Sequence, residues 1–316
     1  MDYEAGTATD PVDMLNKIRL FLVANGWTQL AYAAATSGYR LSVQRGAVFI
    51  NAYACTNYNP NGTATVDNLT GLAFATATGF SASPGGTRPW KNMPGAPGFS
   101  SAVIADNILG STVPGMSLSI NPYWMAADGD NFVCCINVAT GTYRWVAFGT
   151  LIAINTLGAS PNGFVLFTSA GPSAPVANQI NVFAAPSISV YTNGVLRFND
   201  TWYFSHGSTT PAARVVCPLQ NPTAVQSGAV AGLLFNLFQA MPGAYGMLAP
   251  LLPCYVGIEL DGSYDVLLGH LELVRLTHMG AFSDAQEITI GTDEFIVLPA
   301  DTLGGNWDYG VAMRIA

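Results

Sequence analysis

Three short apolar runs separated by two glycine-containing turns lie in the middle of the chain. The runs are residues 123–126, 132–138 and 143–148, and the turns are residues 127–130 and 139–142. Gly and Asp tolerate the positive backbone φ angles that tight turns require. The pattern predicts three sheet strands within residues 121–151, and we take this segment as the core of the fold.

The third run predicts how this sheet is covered. A strand sends successive side chains to opposite faces. One face therefore carries Tyr143, Trp145 and Ala147, and the other carries Arg144, Val146 and Phe148. Because neither face shows a polar row, we expect both faces to be covered, either by another part of this chain or by a neighbouring subunit.

One helix is predicted near the start of the chain, over residues 12–25. Asp10 is suited to cap it, and Pro11 fits the first helical position, where no N–H is needed. Its apolar stripe consists of Leu15, Ile18 and Leu22, with Met14 and Phe21 alongside. Gly26 follows where a left-handed residue ends a helix, and Trp27 anchors the exit. The helix is therefore amphipathic and leads directly into strands.

Short strand-like runs with turn residues between them occupy most of the remaining chain. They are residues 29–33, 39–44, 47–54, 71–80, 164–168, 180–183, 187–191, 195–198, 201–204, 255–259, 264–275, 287–290 and 294–298. Asn193-Gly194 predicts a hairpin turn. We predict a mainly β fold, a β-sandwich or barrel-like body with one N-terminal amphipathic helix and long Gly/Pro-rich loops.

The same pattern predicts the division of the chain into regions. Residues 1–27 form the N-terminal helix and the segment leading into it, and residues 28–200 form a first β-rich region. Residues 201–316 form a second β-rich region. A single continuous domain from residue 28 onward is the alternative.

Residues 81–99 form a segment with four prolines and four glycines. It also carries Trp90 and Phe99, large apolar side chains that are unusual in a flexible linker. We predict an ordered loop that docks on a partner subunit or on the chain's own sheet, with these two aromatics as interface candidates.

Residues 228–252 carry no charge, which raises the question of a membrane span. Pro242, Gly243, Gly246 and Pro250 interrupt the run, and such breakers argue against a spanning helix. We predict a short apolar helix over residues 230–241, buried in the protein or in an interface, with Phe235 and Phe238 as further interface candidates.

The composition of the chain favours an assembly protein. Hydrophobic residues make up 50% of the 316 residues and charged residues only 9%, against roughly 25% charged in an ordinary soluble domain. A chain with so little charge is expected to bury much of its surface against partners. The net charge of −8, with only 11 Lys and Arg residues, argues against nucleic-acid binding. The acidic N-terminus lacks the features of a secretory signal, so we expect synthesis in a cytoplasm.

The sequence contains no pattern typical of a catalytic, cofactor or metal site. The five cysteines, Cys55, Cys134, Cys135, Cys217 and Cys254, form no CxxC pair. We interpret them as small buried side chains, with adjacent Cys134 and Cys135 on opposite faces of one strand. The three histidines lie far apart in sequence, and residues 128–131 lack the later ligands of a calcium loop, so we interpret them as a turn. We predict no cofactor, no metal and no enzymatic activity.

Several short motifs resemble those of tailed-bacteriophage virion structural proteins. They are Gly6-Thr7-Ala8-Thr9-Asp10, the helix through Arg19, Asn25-Gly26-Trp27, Asn121-Pro122-Tyr123-Trp124 and the run from Tyr143 to Gly149. Their order matches over most of the first half of the chain, and residues 287–298 match more loosely. The resemblance implies a virion component of the tail, in the tail tip or baseplate ahead of collar, fibre or capsid, made in the host cytoplasm.

The partners expected from this resemblance are other virion proteins and copies of the chain itself. A second hypothesis is a receptor-binding module that recognises a host surface glycan. Aromatic rings can stack on sugar rings, and the candidates are Trp90, Trp202, Tyr203 and Trp307. The alternative role for these aromatics is in the core.

Overall fold

Two β-sheets and one α-helix make up the part of the chain that the structure describes. It is a computed structural model and describes residues 1–35, 37–58, 69–81, 111–154, 164–168, 194–198, 201–204, 214–216, 251–260, 264–299 and 309–316. Fourteen strands belong to a larger sheet and five to a smaller one. The predicted fold class is confirmed, because the chain is mainly β with one helix near the N-terminus.

The helix α1 spans Pro11–Ala24, as the capping residues predicted. The Asp10 carboxylate accepts hydrogen bonds from the backbone N–H groups of Val12 at 2.7 Å and Asp13 at 2.9 Å, which satisfies donors that have no partner within a helix. Gly26 has a φ of +80° and ends the helix. The predicted apolar stripe is buried.

The smaller sheet is an antiparallel meander. Its strands are β2 (Thr28–Ala35), β3 (Gly38–Arg45), β4 (Val48–Tyr58), β5 (Leu69–Ala77) and β6 (Ser111–Pro114), paired in that order. Because each strand pairs with the next in sequence, β2 and β6 form the two edges of this sheet.

The larger sheet contains strands from both ends of the chain. Its strands are β1 (Asp2–Ala8), β7 (Asn121–Asp128), β8 (Asn131–Ala139), β9 (Thr142–Thr150), β10 (Ile152–Ala153), β11 (Phe164–Thr168), β12 (Gly194–Phe198), β13 (Thr201–Phe204), β14 (Arg214–Val216), β15 (Leu252–Leu260), β16 (Tyr264–His278), β17 (Gln286–Ile290), β18 (Asp293–Pro299) and β19 (Tyr309–Arg314). Their order is β1-β7-β8-β9-β11-β12-β13-β14-β15-β16-β19-β18-β17, and β10 pairs with β16.

The predicted core segment forms three consecutive strands of this sheet, β7, β8 and β9. Gly129 and Gly141 have φ angles of +59° and +69°, so both predicted turns occur where glycine was placed. The sequence pattern did not predict β1, β6, β10, β14 or β19. The predicted boundary at residue 200 lies between β12 and β13, which pair with each other, and the division into regions stays a prediction.

The strands β7, β8, β9 and β11 form a central layer that is covered on both faces. One apolar cluster joins a face of this layer to α1 and the smaller sheet, and it includes Val146 and Phe148. A second cluster joins the opposite face to an outer layer of β15, β16, β18 and β19, and it includes Trp145 and Ala147. The predicted alternation along β9 is therefore confirmed, and the chain itself supplies both covers.

The larger sheet folds back over itself, so that its two edge strands approach each other. Tyr3 of β1 packs against the second cluster together with Ala285, which lies just before β17. Burial, and after it the charge of Glu287 on β17, raises the pKa of Tyr3. No backbone pairing joins β1 to β17 among the described residues, so within that part of the chain each of the two strands has one open edge.

The described helices are too short or too polar for a membrane crossing. The apolar segment 228–252 lies outside the described residues except for its last two, which lie just before and at the start of β15 in the outer layer.

Candidate assembly interface

The interface candidates predicted from sequence fall outside the part of the chain that the structure describes. This holds for Trp90, Phe99, Phe235 and Phe238, and also for Trp307. Trp202 and Tyr203 lie on β13, where the description covers the backbone pairing with β12 and β14 alone. The predicted docking loop, the predicted short helix and the glycan-binding aromatics therefore stay predictions.

Open strand edges are the described features best suited to contact another subunit. An edge strand presents backbone N–H and C=O groups that can pair with a further strand. The strand orders of the described sheets end at four such strands, β1 and β17 of the larger sheet and β2 and β6 of the smaller sheet. The two-residue strand β10 also pairs on one side only, with β16. The side chains of the four end strands decide which edge can accept a partner.

Three of these edges carry features that disfavour pairing. β1 contains two acidic residues, Asp2 and Glu4. β17 carries Glu287 and is followed directly by the acidic start of β18, Asp293 and Glu294. β6 is only four residues long and ends in Pro114. Charge, shortness and proline are the usual means by which native sheets prevent edge-to-edge association.

The fourth edge strand, β2, has none of these features, since it carries no charge and no proline and is eight residues long. Its eight residues, TQLAYAAA, contain no charged side chain, and most are half-buried or exposed. A register irregularity lies between Gln29 and Ala31, and residues 31–35 pair regularly with β3 down to Gly38. Gly38 is required there because a Cβ atom would overlap the backbone carbonyl of Ala54 on β4. Residues 31–35 are therefore a regular and uncharged strand edge that is open within the described part of the chain.

The helix α1 contributes apolar surface beside this edge. The Arg19 guanidinium donates to the Gln29 side chain at 3.0 Å and lies 4.7 Å from the ring centre of Tyr32, which fixes that side of the helix against β2. Leu20 and Val23 are 50% and 42% exposed. Since Val23 lies one turn after Arg19, it shares this side of the helix. The open edge thus has an apolar flank.

The face of the central layer that meets the outer layer is held in place by aromatic and acidic side chains. The Tyr143 hydroxyl donates to the Asp284 carboxylate at 3.1 Å, and its ring lies 6.1 Å from that of Trp124. Burial, with Asp284 as the next cause, raises the pKa of Tyr143 to about 12. The Trp145 indole N–H donates to the Pro299 carbonyl at 2.9 Å. These contacts tie β9 of the central layer to the segments around β17 and β18.

The acidic turn at residues 128–131 has a structural role in the described fold. The Asp130 carboxylate accepts from the Thr150 hydroxyl at 2.9 Å, and the Asn131 amide donates to Glu272 at 3.1 Å. Within the described residues no group of three or more His, Cys, Asp and Glu side chains is placed to hold a metal.

The described cysteines are buried thiols. The side chains of Cys55, Cys134, Cys135 and Cys254 are fully buried thiols, and Cys217 lies outside the described residues. Cys134 and Cys135 belong to the two opposite apolar clusters, as the alternation of side chains predicted. Burial raises the pKa of the Cys55 thiol to about 12 and raises those of Cys134 and Cys135. A nucleophilic cysteine needs the opposite shift.

Two further ionisable side chains, the buried Arg144 and the half-buried His270, were not candidates for a site in the sequence analysis. Arg144 is 9% exposed, and burial lowers its pKa to about 10. Burial also lowers the pKa of His270, whose ring lies 6.2 Å from that of Tyr255. Arg144 stands opposite Ile136 on the face of the central layer that meets α1. Its sequence neighbours are apolar, so only the alternation pattern could have indicated a buried arginine.

Glycines in the motifs that resemble phage virion proteins have clear structural reasons. At Gly6, a Cβ atom would lie 2.6 Å from the Tyr123 hydroxyl, which donates to Glu4 at 2.6 Å. At Gly149, φ is +144° and a Cβ atom would lie 2.7 Å from the Cα of Asn131. Asp10 of the first motif caps α1. These motif residues therefore maintain close strand approaches and a helix end.

Comparisons with known proteins give no assignment. No protein-family model matches the chain, and a search of curated proteins found no significant relative. A functional conclusion therefore depends on the residues and on the open edges described above.

Proposed function

We propose that the chain is a structural component of a tailed-phage virion, in the tail tip or baseplate, which acts by packing on neighbouring subunits and on copies of itself. The observation that carries the proposal is the open edge of β2, an uncharged strand with an apolar flank in a chain with only 9% charged residues. Such an edge favours association over a free monomer.

The roles of the motif residues support the same proposal. Gly6, Asp10 and Gly149 set backbone geometry, and the turn at residues 128–131 is bound into the fold. A protein that functions by its shape and packing needs such residues. The proposal also includes residues 81–99 as a docking loop, for which Trp90→Ala is the test variant.

The virion assignment is tested on purified particles of the phage that encodes the chain. Quantitative peptide mass spectrometry is expected to find it in stoichiometric amounts, and immunogold electron microscopy is expected to label the distal end of the tail. Absence from purified virions would refute the assignment. Label on the head or collar would keep a virion role and refute the tail-tip location.

The glycan-binding alternative rests on the four aromatics named in the sequence analysis. A glycan array with the purified chain tests it. Specific binding that is lost in Trp202→Ala would favour a receptor-binding module over a purely structural subunit.

A further inference from the structure

The four described sheet edges differ in what happens when each meets a second copy of itself. Antiparallel pairing across a two-fold axis places a strand opposite its own reversed sequence. For β1 this brings Asp2 and Glu4 of both copies onto one seam, and for β17 it does the same with Glu287. Like charges across a strand pair are destabilising. β6 is short and ends in Pro114.

The edge of β2 avoids these costs. Its alanines at positions 31, 33, 34 and 35 are small enough for another strand to approach closely, and no charged residue lies on the strand. The chain carries a net charge of −8, so two copies repel each other overall. A neutral edge is where that repulsion is least.

We propose that two copies of this chain associate through residues 31–35 of β2, which pair antiparallel across a two-fold axis. The two five-stranded smaller sheets then form one continuous ten-stranded sheet. Val23 of each α1 shares the helix side that Arg19 fixes against β2 and loses exposed apolar surface at the new seam. Tyr32 is already held from within its own subunit by Arg19, so the strand is ordered before the partner arrives.

The partner is a second copy because the contact is self-complementary. One patch serves both sides, and a two-fold contact closes without leaving another open β2 edge. The inference deepens the proposed function and rests on it for the statement that the chain packs on copies of itself. The virion location plays no part in it.

The test is sedimentation velocity of the full chain as a concentration series, with two lysine variants. Ala34→Lys places a charge at an exposed position of the β2 edge, and the control Thr292→Lys places the same charge at the exposed turn between β17 and β18. The wild type and Thr292→Lys are expected to sediment as dimers. Ala34→Lys is expected to weaken the dimer at least tenfold, with an unchanged far-ultraviolet circular dichroism spectrum that shows retained folding.

Cysteine cross-linking gives a second measurement, which does not depend on weakening the dimer. Single cysteines are placed at each position from 31 to 35, and pairs of variants are mixed and oxidised. Antiparallel pairing predicts that cross-linked pairs share one constant sum of residue numbers, because one position advances as the other recedes.

Three results would overturn the inference. They are a monomeric wild type, a dimer that Ala34→Lys leaves intact, and equal weakening by both lysine variants. A dimer through another surface would refute the β2 contact and leave the virion assignment standing. A β2 dimer formed by a chain that is absent from virions would support the β2 contact and refute the virion assignment.

Discussion

The clearest stability prediction compares Trp27 and Trp145, the buried tryptophans among the described residues, which differ in one hydrogen bond. Trp145 is fully buried, and its indole N–H donates to the Pro299 carbonyl at 2.9 Å. Trp27 is 2% exposed, and its indole N–H has no hydrogen-bond partner among the described residues. Replacement by phenylalanine removes a similar part of the ring at both positions, so the difference between the variants isolates the hydrogen bond.

The magnitude follows from that bond. A neutral hydrogen bond contributes about 1 kcal/mol, and loss of one partner adds a cost when the other stays buried. Pro299 is half-buried, so water replaces the indole only in part. We expect Trp145→Phe to lower the free energy of unfolding by about 1–2 kcal/mol more than Trp27→Phe, since the latter also removes a buried donor without a described partner.

The assay is urea denaturation followed by far-ultraviolet circular dichroism, because both substitutions change the intrinsic fluorescence. The comparison holds if both variants unfold in one transition with the same dependence on urea concentration. Equal losses of stability, or a larger loss for Trp27→Phe, would refute the assignment of a stabilising hydrogen bond between β9 and β18.

Three further predictions test other parts of the structure. Gly149→Ala should lower the free energy of unfolding, measured by thermal denaturation, by about 3 kcal/mol, because the new Cβ would overlap Asn131. The control Gly141→Ala places a Cβ in open space at φ +69° and should lower it by about 1 kcal/mol. The pKa of the Tyr143 hydroxyl is raised from 10 to about 12 in the folded chain. As the pH rises, the unfolded chain therefore loses the hydroxyl proton first, and the free energy of unfolding should fall between pH 10 and 12. Urea titrations of Tyr143→Phe should show a smaller fall. A thiol reagent should modify at most one cysteine of the native chain, Cys217, because the other four are buried. After denaturation it should modify all five. Two or more reactive thiols in the native chain would contradict the described core.

The sequence was most informative where the pattern of side chains is strong and local. The ends of α1 were predictable because capping depends on adjacent residues, Asp10 and Gly26. The turns at Gly129 and Gly141 were predictable for the same reason. Alternation along β9 indicated two buried faces, but not what covers them, since a strand's pattern reports burial and carries no information about the partner.

Two of the strands that the pattern missed, β1 and β19, depend on partners elsewhere in the chain. β1 has the sequence DYEAGTA, which lacks an apolar row, and it is a strand because it pairs with β7 along its whole length. β19 is short but lies between β16 and β18, and that position buries Val311 and Met313. The candidate interface followed the same rule. The lack of charge in β2 is visible in sequence, whereas its place at an open edge is a property of the sheet order.

The pairing of β1 with β7 has a consequence for the timing of folding during synthesis. The Asn121 side chain of β7 donates to the Ala8 carbonyl of β1 across 113 residues, and the whole smaller sheet is encoded between the two strands. At about 5–20 residues per second, roughly 6–23 s pass between the emergence of β1 and that of its partner. The helix and the meander can form a folded unit in that interval, because their contacts are local. β1 is therefore among the later strands to pair within the sheet. Until β7 emerges, the chain on the ribosome is partly folded and β1 is unpaired.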